Sequence, residues 1–188
     1  MKYCHVPSPI GHALAGIAAG VGTRPSTRAT GRSLGAGGLD LRSIALYAAA
    51  GMAPDIDLLF GAHSGPAHGL GAAVLAGLVA LAIAPLLGTR GSGLGTRVRF
   101  ALGLAAAYAS HILLDWLGTD TSAPIGIMAL WPFSHAYYES SAHVFMAVSR
   151  RYWLPEFWTW NVVALARELL ILVPIVALVM WIRRRRVG

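Results

Sequence analysis

Apolar residues run in five long stretches, about 7–22, 43–60, 67–88, 98–118 and 161–182, separated mostly by short segments rich in Gly, Ser, Thr and Arg. Runs of this kind read as membrane segments, because a helix needs about 20 apolar residues to span a bilayer. The third is the clearest of the five: no Asp, Glu, Lys or Arg occurs from Leu58 through Thr89. The first is shorter and reads as tilted or half-inserted. The pattern therefore predicts an all-α, polytopic membrane helical bundle of about five segments, forming one domain over 1–188. Residues 119–160 are the long non-spanning region. They hold Trp131-Pro132-Phe133, a predicted short helix over 135–148, and an aromatic run from Tyr152 to Trp160. Trp and Tyr favour the headgroup zone, so this region is expected to cap one end of the bundle at the membrane interface.

Composition agrees with this picture and narrows it. The chain has 188 residues, of which 56% are hydrophobic and 12% charged, whereas a soluble domain carries about 25% charge. Its single cysteine, Cys4, excludes an intramolecular disulfide and any Cys-built zinc motif. The N-terminal run contains His12 and several glycines and has no charged region beyond Lys2, so it reads as part of the mature chain and not as a signal peptide. A net charge of +7 invites a nucleic-acid reading, but eleven of the fifteen basic residues fall within 24–42, 90–99 and the tail 183–186. With five spans these regions share one side. Basic loops stay cytoplasmic, which places the C-terminus inside and the N-terminus outside, and no nucleic-acid partner is expected. Nothing in the pattern sets an oligomeric state.

The same count brings His12, Asp55, Asp57, His63, His68, His111 and Asp115 to the outer membrane face. Ionisable residues at membrane depth are costly and point to function. His111 and Asp115, four apart, share a helix face and make either a nitrogen-and-oxygen metal corner or a His–Asp hydrogen bond that ties helices. Asp55 and Asp57 cannot face one point on an α-helix, but Pro54 marks a break where an unwound end could present both inward. They favour a cation over simple helix capping. His68, at the start of a segment, is a ligand candidate, and His63 in the preceding turn reads as a loop residue. His12, among Gly and Ala, reads on its own as a helix-packing histidine. In the cap, His135, Glu139 and His143 would line one face of a helix over 135–148, which reads first as a surface helix with fortuitous spacing and otherwise as a second metal corner or acid/base set. Arg167 could face a phosphate or join an interhelical ion pair, with Glu168 pairing elsewhere. No glycine-rich phosphate loop of Walker or dinucleotide type occurs.

The ordered set Pro9-Ile-Gly-His12, Pro54-Asp-Ile-Asp57, His63 to His68 and His111-x-x-x-Asp115, followed by Trp131-Pro-Phe-Ser134, resembles a family of bacterial inner-membrane, metal-dependent hydrolases, some described as LexA-regulated. The resemblance runs from about residue 7 to 135. The order is also similar to the metal framework of secreted zinc-dependent phospholipases C and related single-strand nucleases. It implies metal-ligand roles for His12, Asp55, His68, His111 and Asp115, with His135 and Glu139 extending the cluster.

The combined expectation is a multi-pass inner-membrane hydrolase with a divalent metal, zinc first and manganese as the alternative. Its metal ligands would be His12, Asp55, Asp57, His68, His111 and Asp115, and Asp57 and His63 would carry catalysis. A water activated by the metal would attack a phosphoester, and an interfacial site would draw a lipid or lipid-linked substrate from the surrounding bilayer. The competing expectation is a metal-binding, transporting or purely structural membrane protein, for which transport would require a polar path to the cytoplasmic side.

Overall fold

In a computed structural model, residues 7–23, 41–60, 64–89, 93–121 and 123–187 are described. Five α-helices form the frame: α1 (Pro9–Thr23), α2 (Leu41–Met52), α3 (Leu70–Ile83), α4 (Leu94–Trp116) and α5 (Phe157–Val187). No strand occurs among the described residues, and the only sheet-like pairings there are isolated bridges in the cap. α1 starts where Ser8 caps it, the hydroxyl oxygen accepting the Gly11 N–H at 3.1 Å, with Pro9 at the first helical position. α2 stops at Pro54, and the chain continues as a 3-10 turn over Ala53–Phe60. α3 follows a short 3-10 turn at Pro66–His68 and ends before Pro85, where a single π-helical turn takes over, with Thr89 N–H donating to the Ala84 carbonyl at 3.1 Å.

Successive helices alternate in direction. Gly16 of α1 meets Gly51 of α2 while Gly20 meets Tyr47, so the two run antiparallel; a Cβ on Gly16 would sit 2.9 Å from the Gly51 Cα. Only glycine allows that approach. α3 and α4 are likewise antiparallel: Ala73 packs with Ile112, and Gly77 faces Ala105. α5 packs chiefly on α1 and runs parallel to it, with Glu168 beside Ser8 and Arg183 donating to the Val21 carbonyl at 3.3 Å. The alternation leaves one end of the bundle with the start of α1, the ends of α2 and α4 and the start of α3. At the other end Val21, Tyr47, Ala80, Ala84, Phe100, Ala101, Leu104 and Ala107 form an apolar core.

Two expectations change. Helices long and apolar enough to cross a membrane number two among the described residues, Leu94–Trp116 and Phe157–Arg185, while Leu70–Ile83 is apolar but only 14 residues long. Prolines account for α2 and α3, since Pro54 and Pro85 interrupt the α-helical ladder inside runs whose composition is apolar throughout, and α1 has only 15 residues. The second change concerns 135–148, which is not a helix. Its backbone bonds go to other segments: Tyr138 exchanges N–H···O bonds with Ile127 at 2.9 and 3.0 Å, and Ser140 N–H donates to the Trp116 carbonyl at 2.8 Å. Phe145 bridges to Gly118 in parallel. A sequence rich in Tyr, Ser and His has little intrinsic pull toward a helix, so tertiary pairing prevails.

Candidate metal centre

The end where four elements meet gathers the histidines and aspartates. His12 lies one turn into α1, its N–H bonded to the Ser8 carbonyl at 3.0 Å. On α4, His111 Nε2 stands 3.1 Å from Asp115 Oδ2. Asp115 Oδ1 lies 3.2 Å from His12 Nε2, and its Oδ2 lies 3.4 Å from His68 Nε2. Asp55 Oδ1 closes the group at 3.7 Å from His111 Nε2 and 3.9 Å from His68 Nε2. The His12 and His111 rings stack with centroids 3.7 Å apart, and both direct Nε2 at the same carboxylate. All three imidazoles are fully buried, and Asp115 is 5% exposed.

The outward nitrogens of two rings are held by other groups. His111 Nδ1 is 2.8 Å from the Gly51 carbonyl, which can only accept, so Nδ1 carries the hydrogen and Nε2 offers its lone pair to the centre. His68 Nδ1 faces Asp57 Oδ2 at 3.2 Å while its Nε2 faces inward. Asp55 and Asp57 thus bracket one ring, because the 3-10 turn after Pro54 lets carboxylates two apart reach the same histidine. The unwound end expected there is present, but its two acids take different positions. Asp57 addresses the outer nitrogen, and Asp55 belongs to the inner set.

These donors fit a divalent cation. His12, His111 and Asp115 offer ligand atoms within 4.8 Å of one another, as do Asp55, His68 and His111. His12 Nε2, His111 Nε2, Asp55 Oδ1 and both Asp115 oxygens are buried without a hydrogen bond of good geometry. Buried polar atoms left without hydrogen bonds cost about 1–3 kcal/mol each. Lone pairs of imidazole and carboxylate aimed at one space are the donor set of zinc and manganese.

The profile of the YdjM inner membrane protein family matches residues 8–187. The chain belongs to the YdjM inner membrane protein family. The match spans every helix and the whole cluster, so the convergent histidines and aspartates lie inside the YdjM framework. No curated protein and no solved structure matches the chain.

Several residues marked in the sequence of this YdjM member sit apart from the cluster or outside the described residues. His63 lies outside the described residues. In the cap, Glu139 accepts the Asp120 N–H at 2.7 Å and lies 3.8 Å from His143, while His135 is exposed. None of the three belongs to a ligand group among the described residues. Arg167 is exposed and donates to the His143 carbonyl at 3.1 Å. Two contributors have partners that the sequence does not reveal. Gly51 acts through its carbonyl, which any residue possesses, and Glu168 is fully buried against Ser8. A Ser-Pro helix start and an acid inside an apolar run are each visible, but nothing in the sequence pairs them across 160 positions.

Proposed function

We propose that this YdjM-family chain is a membrane-embedded, metal-dependent hydrolase that cleaves a phosphoester, on a lipid or lipid-linked substrate, at the outer face of the inner membrane. The observation that carries the reading is the pair of buried ligand groups sharing His111, one with His12 and Asp115 and the other with Asp55 and His68. Those five residues would hold the cation, zinc first by donor type, with manganese as the alternative. When bound, a divalent cation supplies Lewis acidity and brings the pKa of water toward neutrality. The protein does the rest. The Gly51 carbonyl and Asp57 fix the orientation of His111 and His68, and burial keeps bulk water away from the donors. Asp57, outside the inner ligand set and on the outer nitrogen of His68, would be the carboxylate that accepts a proton, a role the sequence reading gives to it and His63.

The multi-pass reading draws support from helix direction, since α1 and α5 run parallel as an odd number of crossings requires. α2 with its 3-10 turn spans Leu41–Phe60, and α3 with its flanking turns spans Pro66–Thr89; irregular backbone is tolerated at membrane depth where protein buries it. The positions of the arginines favour an outside N-terminus. An apolar cavity of about 350 Å³, lined by Leu70, Ile112, Leu113, Trp116 and Leu130, favours a lipid substrate, because it offers an acyl chain a seat beside α4. A transport role would need a polar path through the opposite end, which Tyr47, Ala80, Phe100 and Leu104 close.

Elemental analysis of protein purified without chelators, wild type beside Asp115→Ala and His68→Ala, tests the reading. Stoichiometric zinc or manganese in wild type, lost in both variants, together with metal-dependent cleavage of a phosphodiester reporter, is the expected result. A metal-free wild type sinks it.

A further inference from the structure

A carboxylate inside an apolar membrane helix needs a reason. Glu168 is fully buried on the face of α5 that packs on α1, and its chain neighbour Arg167 points outward to the His143 carbonyl instead of pairing with it. Both Glu168 oxygens are committed to one residue. Oε1 accepts the Ser8 N–H at 2.6 Å, and Oε2 accepts the Ser8 hydroxyl. Ser8 passes the constraint on: its hydroxyl oxygen accepts the Gly11 N–H, and its carbonyl accepts the N–H of His12. Gly11 is shaped to this arrangement, since a Cβ there would lie 2.7 Å from Glu168 Oε2. The helix N-terminus carries partial positive charge and unsatisfied donors, which a carboxylate satisfies from outside.

We infer that Glu168 is a positioning residue for the metal centre, fixing the start of α1 through Ser8 and thereby the height and rotation of the His12 imidazole. This rests on the metal reading above. Simple docking of α5 onto α1 would be served by an apolar side chain, because well-packed hydrophobic residues commonly replace buried polar groups without loss. What a carboxylate adds is direction. It grips two donors one turn ahead of a ligand, and ligand sites need placement within about 0.5 Å. The far end of the same helix pair provides an internal control, since Arg183 donates to the Val21 carbonyl near the end of α1, away from the cluster.

Zinc affinity of the purified full-length protein, measured by competition with a chromogenic chelator, tests the assignment in E168Q, S8A and R183Q. E168Q and S8A are expected to weaken zinc binding about 10–100-fold, the usual cost of losing an outer partner of a metal ligand. R183Q is expected to lower the melting temperature of the metal-free protein and leave zinc affinity unchanged. S8A keeps Glu168 in place and gives the same readout should E168Q fail to fold. Wild-type affinity in both E168Q and S8A overturns the assignment while leaving the metal reading intact. An equal loss of affinity in R183Q also overturns it, because the effect would then be general docking of α5. A wild type that takes up no zinc or manganese overturns the metal reading, and this inference with it.

Discussion

The two ends of the bundle are built from the same helices on opposite principles. At one end Val21, Tyr47, Ala84, Phe100, Leu104 and Ala107 pack in full contact, with small residues letting helices approach. In lipid, where apolar side chains gain little by leaving their surroundings, such packing is a main source of helix association. At the other end His12, His68, His111 and Asp115 are buried, polar atoms of His12, His111 and Asp115 among them without a hydrogen bond of good geometry, and the backbone around them departs from α-helix at Ala53–Phe60 and Pro66–His68. The first end holds itself together. On the metal reading proposed above, the second is costly alone and becomes favourable when a cation satisfies it, so the two should respond oppositely to chelation and to mutation.

The strongest way to break this contrast is Asp115→Ala. Asp115 touches all three buried imidazoles, so its loss should abolish metal retention. A wild-type melting temperature that rises with added zinc should become zinc-independent; ligand at 1,000 times its Kd contributes about 4 kcal/mol. Undiminished zinc stabilisation in the variant would remove Asp115 from the centre. At the opposite end, Phe100→Ala should cost about 3 kcal/mol of stability by leaving a cavity, with metal content per folded molecule equal to wild type. Metal loss in that variant would show that the ends are not independent.

A smaller effect separates the two aspartates. Asp57 meets the outer nitrogen of His68, whereas Asp55 faces the inner nitrogens. Asp57→Asn should therefore weaken zinc binding about 10–100-fold without abolishing it, while Asp55→Ala, which takes away the inner carboxylate, should cost more. Equal metal loss in both would make Asp57 a direct ligand.

How much of this was legible follows from what each residue uses. The i, i+4 spacing of His111 and Asp115 is a local property, and the structure places both on one buried face. The proline break before Asp55 was also local, and it does let both acids reach His68. The convergence of His12, Asp55, His68, His111 and Asp115 was readable because alternating helices send them to the same end. Where interactions depend on backbone atoms or distant partners, the sequence was silent: the Gly51 carbonyl on His111, and Ser8 on Glu168. The clearest apolar run proved the most misleading about length, because hydropathy does not register that Pro85 lacks a donor. The cap failed for a related reason. Its His-x-x-x-Glu-x-x-x-His spacing matched a helix, but its backbone bonds were taken by Ile127, Trp116 and Leu117.

That cap supplies the smallest expected effect. His143 is exposed, has φ +42°, and stands 3.8 Å from Glu139. A long, solvated pair of this kind is worth about 0–1 kcal/mol, and neither residue reaches the inner ligand groups. His143→Ala should leave zinc affinity at wild-type level and move stability only slightly. The left-handed backbone adds a finer expectation: His143→Gly should be more stable than His143→Ala, since glycine adopts positive φ without the Cβ clash. Melting temperatures and zinc titrations of the two variants decide it. A weakened zinc affinity in His143→Ala would extend the metal centre into the cap, and the polar end of the bundle would then no longer stop at α4.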